Sequence, residues 1–303
     1  MARRFGVEIE FAGDMEAVIH SLRNAGIPVA DMRHTHNGHS ETAWTVKYDG
    51  SVSRGGELVS PPLDFNTQRE QVTKAVEALQ AAGATTDRAA GIHVHIEAVH
   101  EDGSLMTGRE IAAVVRFTYK FEDAIYRIAS SGWNTMRPGS RTYCRPIPEA
   151  TARAIMEVKT RDELRGVWDE GRSVRDQRSG RYSSYILRAL DRYTATNLQS
   201  LFLRNTIEFR YFNSSVNPVR IQTYIALCMA IVDDARNGYS RSVTKSYRLG
   251  DMANGTVKES AVILRLQQIL RSNSRDTKVC MSEEDWKNLR KLCWKGSRPQ
   301  QAF

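Results

Sequence analysis

No stretch of this chain holds the roughly 18–20 consecutive apolar residues needed to span a bilayer, so no membrane helix and no membrane partner are expected. The start of the chain lacks the apolar core of a signal peptide, because Glu8 and Glu10 interrupt its only apolar run. The 4 cysteines (Cys144, Cys228, Cys280, Cys293) show neither CxxC spacing nor the density of a disulfide scaffold. Reduced thiols and a cytoplasmic location follow. There is no internal repeat, no low-complexity tract and no linker of disordered composition. A Ser-His-Asp or Cys-His arrangement with a recognisable nucleophile elbow is also missing, which argues against a covalent hydrolase.

What is there suits a folded chain of one large domain or two tightly joined ones: 303 residues, 41% hydrophobic and 26% charged. The net charge of +8 is unevenly placed. From Asn237 to Phe303 there are 13 Lys+Arg and 6 Asp+Glu, a net +7, leaving +1 for the preceding 236 residues. That basic third could meet nucleic acid, nucleotide phosphates or an acidic protein. A solvated helical surface is the favoured explanation, since aromatic platforms for stacking bases are sparse there. The division this suggests is a domain over 1–236 and a basic helical extension over 237–303, packed on the same domain.

The most informative stretch is Phe5–Phe11. Phe5, Val7, Ile9 and Phe11 alternate with Gly6, Glu8 and Glu10, the period of a half-buried strand. Glu8 and Glu10 therefore project side by side from an apolar backing. Two carboxylates on one strand face repel unless a cation joins them. The pattern suits a shared divalent-metal site, and it also suits an amphipathic strand whose polar face meets water. Gly91–Ile96 repeats the geometry with imidazoles: Ile92, Val94 and Ile96 point one way, His93 and His95 the other, as metal or phosphate ligands. In Asn205–Phe212, Glu208 and Arg210 share the face opposite Ile207, Phe209 and Tyr211.

Between these strands, Asp14 caps a helix ending at Gly26–Pro28. Asp31–Glu41 reads as a polar loop whose His34, His36 and His39 could bind zinc, though no cysteine or dedicated carboxylate accompanies them. Thr42–Tyr48 reads as a strand turning at Asp49-Gly50-Ser51 into a second strand around Glu57–Ser60. Gly55-Gly56 before Glu57 would let a ligand approach the backbone closely. Helices are expected over Asp64–Ala82, from the Thr107–Glu110 capping box to about Ala129, over Glu149–Val158 and Thr160–Trp168, from Pro218 to about Ala235, and over Thr256–Leu270 and Ser282–Leu292. The loop Ser130–Pro148 carries Arg137, Arg141 and Arg145, whose guanidinium forks suit an anion.

Five segments together resemble the amidoligase family, a branch of the glutamine synthetase and glutamate–cysteine ligase superfamily. They are Gly6–Phe11, Trp44 through Asp49-Gly50-Ser51, Gly56–Pro62, Gly91–His95 and Thr206–Arg210. The resemblance implies an α+β fold: a curved, mostly antiparallel sheet with helices on its convex face and a funnel-shaped site on its concave face. It implies ATP-dependent joining of a carboxylate to an amine through an acyl-phosphate, with Mg2+ or Mn2+. By that similarity Glu8, Glu10, Glu57 and Glu208 would be metal ligands, joined by His93 or His95, with His95 preferred. Arg210 would stabilise the moving phosphoryl group, and Asp49 would contact the amine or help deprotonate it. His93, Ser60, Arg137 and Arg141 would contact substrate or phosphate. The identities of the acid and the amine, and the oligomeric state, are not encoded in any motif. Two other classes share these features: a nucleic-acid-associated protein using the basic third, and a metal-dependent hydrolase using the same acidic and histidine face.

Overall fold

Strand β1 (Arg4–Ala12) forms where the alternation demands it, burying Phe5, Val7, Ile9 and Phe11 on one face. Each such side chain contributes about 1.5–3 kcal/mol through removal from water. The computed structural model describes residues 3–34, 38–50, 52, 54–86, 89–129, 143–169, 193–235, 266 and 281–296. Among them β1 lies inside an eight-stranded sheet with β2 (Val29–Met32), β3 (Trp44–Lys47), β4 (Gly55–Val59), β5 (Leu63–Asp64), β6 (Gly91–Glu97), β7 (Thr196–Asn197) and β8 (Thr206–Asn213). The order is β2-β3-β4-β1-β6-β8-β7, with β5 pairing separately with β1. Every pairing is antiparallel except β2 with β3. This is the α+β, mostly antiparallel architecture that the sequence implied.

The helices α1 (Met15–Asn24), α2 (Glu70–Ala81), α3 (Gly108–Ala129) and α7 (Pro218–Ala235) share one apolar core with the sheet. Asp14 caps α1 by accepting from Glu16 N at 2.8 Å. Thr107 and Glu110 close α3 reciprocally, Thr107 N donating to Glu110 at 2.7 Å. Shorter helices α4 (Glu149–Ala154), α5 (Arg161–Asp169) and α6 (Gln199–Arg204) flank β7 and β8 in sequence. Helix α8 (Glu283–Gly296) adds Trp286, Leu289 and Leu292 to the core. Its start is tied to α2 through Asp285, which accepts from Arg69, Ser282 N and Ser282 Oγ.

Several expectations change. Asp31 and Met32 belong to β2 rather than to a loop, because Val29–Met32 pairs in register with Trp44–Lys47. The helix expected from Asp64 starts only at Glu70; Asp64 lies in β5 and accepts from Asn66 N and Thr67 N, fixing a turn instead. Gly55 and Gly56 are required by the sheet itself. A Cβ at Gly55 would stand 1.9 Å from the Phe11 carbonyl, and one at Gly56 2.5 Å from the Lys47 carbonyl. His36, Arg137, Arg141 and all of the expected helix Thr256–Leu270 except Leu266 lie outside the described residues.

Candidate metal centre

On the face of the sheet opposite the shared core, strand register brings the charged residues together. Lys47 on β3 lies opposite Glu57 on β4, and Glu57 opposite Glu10 on β1. Glu8 faces His93 on β6, His95 faces Glu208 on β8, and Glu208 faces Asn197 on β7. A register shift between Ile92 and Val94 gives β8 one extra residue, so that both Arg210 and Tyr211 fall opposite His93.

This face is not a solvated one. Glu10, Glu57, His93 and Glu208 are each 4% exposed. Buried carboxylates need partners, and here they find each other and two histidines. His93 Nδ1 lies 3.0 Å from Glu8, its Nε2 3.4 Å from Glu10, and Nδ1 again 3.9 Å from both Glu57 and Glu208. His95 Nε2 is 3.4 Å from Glu8, and its Nδ1 is 3.2 Å from Thr206 Oγ1. Glu208 accepts from Asn197 and Ser200, both at 2.6 Å, and from Arg210 Nη1 at 2.5 Å. Glu10 accepts from Gly91 N at 2.5 Å.

The electrostatics follow from this crowding. Burial resists ionisation of Glu208, but Arg210, His95 and His93 outweigh it and bring its carboxyl down to about 2. Glu8 is likewise held well below the usual carboxylate range, by His95 and His93 against its burial. For Glu57, burial and the negative charge of Glu8 prevail over Lys47 and push the carboxyl well above that range. Burial tends to deprotonate His95, yet Glu208 and Glu8 raise it.

Three groups of donor atoms lie within 4.8 Å of one another: Glu8–His95–Glu208, Glu8–Glu57–His93 and Glu10–Asp49–Glu57. The buried Nε2 atoms of His93 and His95 make no hydrogen bond among the described residues. For His95, a proton on Nδ1 donated to Thr206 Oγ1 would fix the ring and leave the Nε2 lone pair on the Glu8 side, free to bind a cation. Carboxylates outnumber imidazoles in each of these groups, and carboxylate oxygens suit a hard divalent cation such as Mg2+ or Mn2+.

Arg210 is steadied from outside the cluster as well. Its Nε donates to the Tyr143 carbonyl at 3.3 Å. The segment bearing Tyr143 is pinned by Tyr126 Oη donating to the Cys144 carbonyl at 2.6 Å and by Ile147 N donating to the buried Glu122 at 2.9 Å. Ser60 lies at the other end of the cluster; its Oγ accepts from Val7 N at 2.9 Å. It lines a cavity of about 310 Å³ shared with Glu8, His95, Leu203 and Arg204. His39 reaches the same cavity, but pairs with Glu41 at 3.1 Å. It joins none of the three groups within the described residues.

Sequence reasoning named Glu8, Glu10, Glu57, His93, His95, Glu208, Arg210 and Asp49, and the structure brings these eight to one locality. It places both histidines in donor groups rather than one, and sets Asp49 beside Glu10 and Glu57. Lys47, Ser200 and Thr206 were missed. Lys47 sits two residues before Asp49 on the strand's polar face, a signal of the same kind as Glu8 and Glu10. Ser200 carried none, since only the chain reversal from α6 into β8 brings it to Glu208.

Residues 1–232 match the family described as "Putative amidoligase enzyme". Nothing among curated proteins matches the chain. A solved structure of the complex between the prokaryotic ubiquitin-like protein Pup and its ligase PafA contains a chain similar in structure to this one, at 10% identity and a TM-score of 0.37. The similarity covers 97% of this chain and 63% of that one. None of these comparisons points to nucleic acid. Among the described residues no helix is long and apolar enough to cross a membrane.

Proposed function

This chain belongs to the amidoligase family, and on that premise we propose that it joins a carboxylate to an amine at the expense of ATP, through an acyl-phosphate. The observation that carries the reading is the convergence of four glutamates and two histidines from four strands, three of the glutamates almost fully buried. Burying that many carboxylates costs stability unless cations are meant to join them.

In this reading Glu8, His95 and Glu208 would hold one Mg2+ or Mn2+, and Glu10 and Glu57 would hold a second, with Asp49 beside them. His93 stands between them, against both Glu8 and Glu10. When bound, such ions neutralise the phosphates of ATP and align the reacting groups. Arg210, fixed by Glu208 and the Tyr143 carbonyl, presents its guanidinium to charge building on the transferring phosphoryl group. Asp49, at the tip of the β3–β4 hairpin, receives the amine and accepts its proton as nitrogen attacks the acyl carbon, the C–O bond to phosphate breaks and inorganic phosphate leaves. Burial of the cluster keeps water from the acyl-phosphate. The catalytic unit is residues 1–236, and α8 of the following extension packs on it through Trp286, Leu289 and Leu292.

The test pairs candidate acids and amines with Mg2+ and ATP and follows ADP, phosphate and product mass. ADP and phosphate should appear only with both partners present. Glu10→Gln and Glu208→Gln should reduce turnover at least about a hundredfold while leaving the circular dichroism spectrum intact. Wild-type turnover in either variant would defeat the assignment, and product formed by hydrolysis without ATP would favour the hydrolase alternative.

A further inference from the structure

Within the ligase reading, and resting on its metal site, one charged residue of the cluster has no assigned role. Lys47 lies directly opposite Glu57 in the β3–β4 register, and its Nζ is 2.8 Å from Glu57 Oε2. Both side chains are largely buried, at 12% and 5% exposure. The other Glu57 oxygen, Oε1, is the one turned toward His93, at 3.9 Å. The two oxygens of this carboxylate are thus divided, one held by an ammonium and one left facing the cluster. The sheet fixes the division, since hydrogen-bonded neighbouring strands set the spacing of Lys47 and Glu57.

We propose that Lys47 restricts Glu57 to a single donor oxygen and thereby selects Mg2+ over Ca2+ in the donor groups that Glu57 joins. Ca2+ takes 6–8 oxygens and favours bidentate carboxylates, whereas Mg2+ accepts one oxygen from each of one or two carboxylates and keeps its waters. A lysine on Oε2 blocks the bidentate mode and spares the monodentate one. It also cancels one negative charge, which weakens attraction for both ions alike. Selectivity and affinity are therefore separable: the charge moves both dissociation constants together, and the lost oxygen moves only their ratio.

The experiment uses the full chain without ATP. Bound Mn2+ is followed by electron paramagnetic resonance of the free ion, and Mg2+ or Ca2+ is titrated in as competitor. Wild type should require much more Ca2+ than Mg2+ to displace half of the Mn2+. Lys47→Met should shrink that ratio about tenfold through the freed oxygen, and Lys47→Arg, which still engages Glu57, should keep it. Lys47→Leu, which likewise offers no donor to Glu57, replaces the methionine variant should the latter fail to fold. An unchanged ratio in Lys47→Met, even with both affinities raised, overturns the proposal and leaves the ligase reading standing. Absence of any Mn2+ binding to wild type, both alone and with a non-hydrolysable ATP analogue, overturns both.

Discussion

Glu57 offers the sharpest test of why the site is built as it is. In the metal-free protein its carboxylate lies within 4.8 Å of donor atoms of Glu8 and Glu10. At an effective dielectric near 20, each ionised neighbour at that separation repels by about 3.5 kcal/mol, or about 7 together. Lys47 at 2.8 Å returns about 6 kcal/mol on the same scale. Asp49, within the same reach, adds to the repulsion, so the balance is unfavourable before burial is added, and burial acts in the same direction. A carboxyl raised in the folded state costs stability once pH climbs past its unfolded value, so near pH 7 Glu57 works against the metal-free fold. Glu57→Gln keeps an oxygen for Lys47 and removes the charge. In EDTA it should melt a few degrees above wild type, at roughly 2–4 °C per kcal/mol. With Mg2+ at about a hundred times its dissociation constant, wild type should gain about 2.7 kcal/mol and the variant much less. The two melting temperatures should cross as Mg2+ is added. Scanning calorimetry across a Mg2+ series reads this directly. A variant that melts lower in EDTA, or a wild type indifferent to Mg2+, would refute the reasoning.

Other perturbations address the frame around the site. Gly55→Ala would drive a methyl into the Phe11 carbonyl, so it should cost about 3 kcal/mol or more in urea denaturation. By parting β1 from β4 it should also abolish the Mg2+-induced rise in melting temperature. Arg210→Lys keeps a charge but loses the fork that spans Glu208 and the Tyr143 carbonyl. In a ligase assay kcat should fall at least about tenfold while the melting temperature changes little. Asp285 is held below its usual carboxyl range: burial opposes this, but hydrogen bonds from Arg69 and Ser282 prevail. Its contribution is therefore complete above about pH 4 and disappears as pH falls through its lowered value. Asp285→Asn should cost about 1–2 kcal/mol at pH 7 and progressively less toward pH 2, read from denaturation midpoints.

The strands bearing the site were legible because each pairs an unbroken apolar alternation with a charged counter-face. Phe5–Phe11, Gly91–Ile96 and Thr206–Phe212 each show it, and each is a strand. Helix starts were equally clear where a capping box exists, as at Thr107 and Ser282. β2 and β5 escaped because they are held by partners distant in sequence, not by any pattern of their own. The site's membership could be read from residue types, but its depth could not. Glu8-Ile9-Glu10 reads identically whether the face meets water or is closed over, and only the fold makes Glu10 4% exposed. The division of Glu57 between Lys47 and the cluster belongs to the register of two strands, which no single strand announces.

Glu8 belongs to two of the three donor groups, and Glu57 also belongs to two. Were ions bound as proposed, a side chain pulled toward one would be drawn away from the other position it serves, so occupancy at either end would be communicated along the row. Linkage then requires the influence to run equally in both directions. The row would load in steps, with successive affinities that differ even where the ligand types match.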